Sequence, residues 1–148
     1  MEITSTAFKT GQSMPIQYTC DGDNISPPLI FTGIPSEAKS LALVVEDPDA
    51  PNPPFIHWLV WNMEPTTTGT AEGKDFTSGV SGLNSGGKSG FTGPCPPGEN
   101  HRYFFKLYAL DDELTLEPET THEQFLAAAD THIMAVAELM ATYERQPQ

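Results

Sequence analysis

Leu41-Ala42-Leu43-Val44-Val45-Glu46-Asp47-Pro48-Asp49-Ala50-Pro51, with the run His57-Trp58-Leu59-Val60-Trp61-Asn62 that answers it, decides how the chain folds. Residues 41 to 45 are continuously apolar and rich in Leu and Val. That pattern suits a strand buried on both faces better than a short helix. Pro48 and Pro51 fix their own φ, remove two N–H donors and push the residue before each out of the α region, so the strand has to stop at Asp47. The aromatic and β-branched run 57–61 then resumes a strand. A carboxylate at the end of one strand and a histidine at the start of the next, joined by a proline-stiffened loop, make a polar corner suited to binding.

Other short strands surround this pair. Leu29-Ile30-Phe31 begins one that Gly33-Ile34-Pro35 ends, and apolar positions Ile3, Phe8, Met14, Ile16 and Tyr18 predict two short strands, or a strand and an extended arm. Residues 20–28 form a turn-rich loop through Asp21-Gly22, Asn24 and Pro27-Pro28. Thr, Ser and Gly dominate residues 65–90, which read as surface loops with room for an exposed hairpin. Phe91-Thr92-Gly93-Pro94-Cys95-Pro96-Pro97-Gly98 is a rigid loop leading to a strong strand, 101–110, with Tyr103, Phe105, Leu107 and Ala109 on one face. At the end of the chain, Thr121 and Gln124 have the form of a capping box, and Phe125, Ala129, Ile133, Val136, Met140 and Tyr143 recur at helical spacing. The expected fold is one mainly-β domain over 1–148, an antiparallel Greek-key β-sandwich with a C-terminal α-helix packed on it.

Composition narrows the function. The 148 residues carry 20 acidic against 7 basic side chains, a net charge of −13. Nucleic acid is an unsuitable partner because its phosphate backbone requires a basic surface, and anionic membrane surfaces are disfavoured for the same reason. No apolar run approaches the roughly 20 residues of a membrane span, and the N-terminus lacks the basic start and apolar core of a signal peptide. A cytoplasmic protein is expected. In that compartment Cys20 and Cys95 would be reduced by default, although their loops flank one site and an oxidising environment would let them pair.

Asp47 and His57 can converge with His101, since each stands at the edge of a strong strand beside a proline-rich loop. Imidazoles beside a carboxylate offer donors to an anion and acceptors to a cation. Pro48, Pro51, Pro94, Pro96 and Pro97 would supply rigid walls, and Trp58, Phe91 and Tyr103 aromatic sides. Metal binding is disfavoured by the absence of a paired-histidine spacing. A Cys95 nucleophile with His101 as base is held back by a proline on each side. His122 and His132 read as solvated or core-edge residues. A small hydrolase or lyase built on Asp47, His57 and His101 is the competing enzyme reading, but no nucleophile is evidently activated.

Asp47-Pro48-Asp49-Ala50-Pro51, His57-Trp58-Leu59-Val60, and Gly93-Pro94-Cys95-Pro96-Pro97 followed by His101-Arg102-Tyr103 resemble the phosphatidylethanolamine-binding protein family, which includes Raf kinase inhibitor proteins and plant flowering regulators. Asp23-Asn24-Ile25-Ser26-Pro27-Pro28-Leu29 and the ending His132-Ile133-Met134-Ala135-Val136-Ala137-Glu138-Leu139 resemble its bacterial and archaeal branch. The resemblance implies a non-catalytic β-sandwich without a cofactor or metal, whose pocket takes phosphate, phosphoethanolamine or a phosphorylated side chain. Carried over position by position, that pocket is Asp47, His57, Gly93, Cys95, Pro96, His101 and Tyr103. It further implies action by binding, as an inhibitor of a kinase or serine protease, and the bacterial relatives are often homodimers. Three departures stand out: the segment between Pro51 and His57 is shorter than in animal members, Phe91 stands where many members have tyrosine, and the net charge of −13 opposes tight binding to anionic lipid surfaces.

Overall fold

The computed structural model describes residues 1–145, which form strands β1 (Glu2–Thr4), β2 (Leu29–Thr32), β3 (Ser40–Asp47), β4 (Phe55–Met63), β5 (Gly69–Thr70), β6 (Val80–Ser81), β7 (His101–Leu110) and β8 (Ile133–Tyr143), with helix α1 (His122–Ala129) before the last strand. Two antiparallel sheets result, a small one in the order β1-β2-β5 and a larger one in the order β6-β4-β3-β7-β8. The mainly-β sandwich with one helix is the architecture the sequence predicts.

The larger sheet is buried on both faces along β3, every residue of which is buried, and this is why β3 reads as an unbroken apolar run. Leu41, Leu43 and Val45 of β3, Trp58 and Val60 of β4, and Phe105 and Leu107 of β7 pack inward with Ile3, Leu29 and Phe31 of the small sheet. Ala42 and Val44, alternating with them, face outward with Leu59, Trp61, Tyr108 and Leu110 to meet Phe125 and Ala129 of α1. Two layers therefore share one sheet, and period-2 alternation sorts its residues between them.

The C-terminal stretch differs from its expectation. The capping box is present: Thr121 accepts from the Gln124 N–H, and the Gln124 side chain accepts from the Thr121 N–H. The helix nonetheless ends at Ala129, and residues 133–143 pair with β7 from His101↔Tyr143 to Leu110↔Ile133. Ten-residue strand β7 would otherwise be an exposed edge of the sheet, so pairing with β8 satisfies backbone groups that a longer helix would leave without partners. In residues 3–18 the second of the two expected arrangements is present, one strand and an extended arm, with a single 3-10 turn at Ile16–Tyr18. The intervening arm lies along β8, where the Gly11 N–H donates to the Met140 carbonyl at 2.8 Å and the Met14 N–H to the Thr142 carbonyl at 2.7 Å. Within 65–90, strand structure is confined to β5, β6 and a Leu83↔Ser89 bridge.

The thiols are not reduced. Cys20 and Cys95 form a disulfide with a Cα–Cα separation of 5.4 Å, within the usual range. Among the described residues no helix is long and apolar enough to cross a membrane.

Candidate functional site

The β3–β4 ladder has two irregularities, and the first shapes the site. Val45 pairs with Trp58 and Glu46 with Ile56, so His57 is the extra residue of a bulge. A bulge re-aims side chains: Trp58 remains in the inner core, Ile56 in the outer one, and His57 turns to the inner side. The second bulge lies between the Leu41 and Leu43 pairs, where Asn62 takes φ 56°. Its side chain donates to the Leu114 carbonyl at 2.8 Å and accepts the Leu114 N–H at 2.7 Å, anchoring the segment that leads to α1.

Asp47, at the end of β3, follows Val45 by two residues and shares its inward face; His101 and Tyr103 open β7 in the same phase as Phe105. Asp47, His57, His101 and Tyr103 thus gather at one end of the sandwich, under the Phe91–Pro97 loop. They line a cavity of about 170 Å3 whose apolar walls include Phe55, Pro51, Pro96 and Pro97. All seven residues named from the resemblance, Asp47, His57, Gly93, Cys95, Pro96, His101 and Tyr103, line it.

The polar contacts are specific. Asp47 Oδ2 accepts from His101 Nδ1 at 2.7 Å, and its Oδ1 accepts the Asp49 N–H at 2.8 Å. His57 is gripped by the backbone of Thr92: its Nδ1–H donates to the Thr92 carbonyl at 2.7 Å, while the Thr92 N–H donates to the His57 carbonyl at 2.9 Å. A carbonyl can only accept, so Nδ1 carries the proton and Nε2 of the neutral ring is a bare acceptor. That nitrogen is buried without a partner, and so is the Tyr103 hydroxyl; His57 is 4% exposed and Tyr103 1%. Burial lowers the His57 pKa, against the opposing pull of the Thr92 carbonyl and the Asp47 charge. Burial, reinforced by Asp47, raises that of Tyr103. At neutral pH both groups are therefore uncharged.

The surroundings fix this geometry. Asp49 clamps the start of β7 by accepting from the backbone N–H, Nε and Nη2 of Arg102, each at 2.9 Å, and those bonds lower the Asp49 pKa to about 2. The loop over the pocket is tied to the 18–24 loop three times, by the disulfide, by Cys20 N–H to the Pro94 carbonyl at 3.1 Å, and by Gly93 N–H to Asn24 Oδ1 at 2.8 Å. A Cβ on Gly93 would stand 2.2 Å from the Tyr18 carbonyl oxygen, so only glycine allows this approach. The 18–24 loop is held in turn by Asp21, which accepts from Tyr143 Oη at 2.5 Å and from Arg145 Nη2 at 2.9 Å.

Some expected walls stand elsewhere. Trp58 and Phe91 pack edge-to-face in the inner core, 5.5 Å between ring centroids, and do not line the pocket. Pro48 borders a neighbouring groove with Pro53, Pro54 and Phe104, and Pro94 is buried behind the rim. Phe55, 4.7 Å from the His57 ring, supplies the aromatic side instead. The sequence reading missed Phe55 and the Thr92 carbonyl; a strand starting two residues earlier would have exposed the first, and nothing in residue type marks the second. His132 pairs with Asp111 at 2.7 Å, far along the sheet from the pocket. Among the described residues no group of three His, Cys, Asp and Glu side chains is arranged to hold a metal ion.

A family model described as phosphatidylethanolamine-binding protein matches residues 4–144. UPF0098 proteins of Chlamydia muridarum and Methanothermobacter thermautotrophicus are 50% and 46% identical over 150 aligned positions, which span 98% of this chain and 99% of each relative. Among solved structures, a phosphatidylethanolamine-binding protein homologue from Chlamydia trachomatis is similar with a TM-score of 0.93 at 49% identity, covering 98% of this chain and 97% of that one. E. coli YbcL, described as a member of the mammalian family, is similar with a TM-score of 0.91 at 32% identity, covering 98% of both.

Proposed function

The chain belongs to the phosphatidylethanolamine-binding protein family, and from that premise we propose that it is a non-catalytic binding protein whose cavity captures a small phosphate-bearing ligand. The observation that carries this reading is the pair of buried, unpartnered polar groups, His57 Nε2 and Tyr103 Oη, beside the Asp47–His101 pair. A buried polar group without a partner costs on the order of 1–3 kcal/mol, so a ligand that completes both bonds recovers what folding gave up. The proline rim and the disulfide hold the walls in place before the ligand arrives, which lowers the ordering cost of binding. With a cavity of about 170 Å3, a headgroup fits and a long acyl chain does not.

One observation favours chemistry instead. His101 is oriented by a carboxylate, as a general base would be. Turnover by covalent catalysis also needs a nucleophile within reach, and the one thiol lining the cavity, Cys95, is bonded to Cys20. Binding is the better reading. Inhibition of a kinase or a serine protease would follow if the captured phosphate belongs to a protein partner.

An NMR titration with phosphoethanolamine and with phosphotyrosine at pH 6, following the His57 and His101 ring signals, tests the proposal. Saturable shifts of both rings, absent in His57→Ala, are expected. Unmoved rings up to millimolar ligand would sink the pocket reading.

A further inference from the structure

The two ends of the His57 ring are not equivalent, and that asymmetry constrains the protonation state of whatever binds. Nδ1 is committed as a donor to the Thr92 carbonyl at 2.7 Å. Nε2 is buried, lacks a partner and belongs to a side chain that lines the cavity. In the neutral ring it can only accept. Resting on the reading of the cavity as an oxyanion site, we propose that the pocket selects oxyanions that bring an acidic proton of their own, hydrogen phosphate and singly protonated phosphate monoesters, and rejects sulfate of the same shape and size. A P–O–H group donates to Nε2, while the remaining oxygens accept from the Tyr103 hydroxyl. Sulfate at neutral pH carries no proton. Its oxygen lone pairs would face the lone pair of Nε2, leaving a buried acceptor unpaired against an anion.

The groups around His57 all bear on this preference. From β3 comes the Asp47 carboxylate; from β7 come His101 and Tyr103; the Phe91–Pro97 loop contributes the carbonyls of Thr92 and Gly93; and on β4 itself the neighbouring ring is Phe55. Asp47 and the two carbonyls favour the protonated imidazole, whereas burial and His101 oppose it, and burial is the largest influence. His57 is therefore neutral at pH 7.5, below which the ring becomes a donor only on the acid side of the ordinary imidazole range. Acidification turns Nε2 into an N–H donor and removes the ground for discrimination.

Calorimetric titration of the disulfide-bonded 148-residue chain with inorganic phosphate and with sulfate, at pH 7.5 and pH 5, tests the inference. Phosphate is expected to bind at least about tenfold more tightly than sulfate at pH 7.5, the scale of one buried hydrogen bond. Sulfate affinity is expected to be no lower at pH 5 than at pH 7.5, and to rise with the gap narrowing in step with protonation of the His57 ring. His57→Gln, which places an amide able to donate at this position, is expected to bring the two anions within about threefold at pH 7.5. Equal affinities for phosphate and sulfate in the wild type at pH 7.5 would overturn the selectivity and leave the oxyanion pocket standing. Failure of phosphate, sulfate and phosphoethanolamine alike would remove both.

Discussion

At the scale of single residues, the site is a record of where the ladder is interrupted. His57 reaches the pocket because one extra residue in β4 turns two successive side chains, His57 and Trp58, to the same side. The sequence names His57 and Asp47 as a pair, since a proline-punctuated loop has to bring the ends of two strands together. It cannot show the bulge or the Thr92 carbonyl, because both are settled by register across the sheet and not by residue type. The buried ring has a consequence for stability. Because burial lowers the His57 pKa in the folded state, the unfolded chain takes up a proton near the ordinary pKa of 6.5 while the folded chain resists it. Stability is therefore at its full value above pH 6.5 and declines as pH falls towards the folded pKa. His122 is shifted in the same direction by burial, so it adds to the same slope. His57→Gln is expected to flatten the decline between pH 7 and pH 5 without abolishing it. Urea midpoints across that interval check this, and an unchanged slope would show that the ring is solvated.

Among the elements, β3, β4 and β7 were legible and β8 was not, for one physical reason. The first three are large-residue strands sandwiched between two cores, so their hydrophobic density identifies them wherever their partners lie. In β8 the inward positions are Ala135, Ala137, Leu139, Ala141 and Tyr143, interleaved with Met134, Val136, Glu138, Met140 and Thr142. The period-2 alternation is present but muted by small, helix-favouring alanines, and the same residues can be read at a spacing of three or four. Pairing along the whole of β7 decides between the two, which is tertiary context overriding local preference. Helix α1 is left with eight residues, too few to be stable alone, and depends on its cap and on one buried ring. Phe125 is fully buried against Trp61 and Tyr108, at 6.4 and 6.1 Å between ring centroids. Phe125→Ala is expected to cost about 3–5 kcal/mol in urea unfolding, and Thr121→Ala about 1 kcal/mol. If both cost the same, the helix is held by its cap and the second core is not a packed layer.

For the molecule as a whole, the disulfide separates what holds the fold from what holds the site. Both cores are built from the larger sheet with its partners, and neither includes Cys20 or Cys95. The bond instead joins residues 75 apart in sequence, and thereby ties the roof of the pocket to a loop that Asp21 fixes to the end of β8. Cross-links of this span act mainly by restricting the unfolded chain, with a typical effect of about 2–4 kcal/mol. Cys95 is exposed and Cys20 partly so, which leaves the bond accessible to a thiol reductant. The native protein, and the protein unfolded in urea without reductant, are expected to show no free thiol; reduction is expected to release two. The Cys20→Ser/Cys95→Ser variant should still unfold cooperatively, with its stability lowered by about 2–4 kcal/mol. Its hydrogen exchange should quicken in residues 91–97 while amides in β3 and β7 keep their order of protection, because only hydrogen bonds, those of Cys20 and Gly93 to the 18–24 loop and those of Thr92 to His57, then hold the roof. Uniform loss of protection across both sheets would instead place the disulfide among the determinants of the fold, and the pocket roof could no longer be regarded as a separately braced part of the molecule.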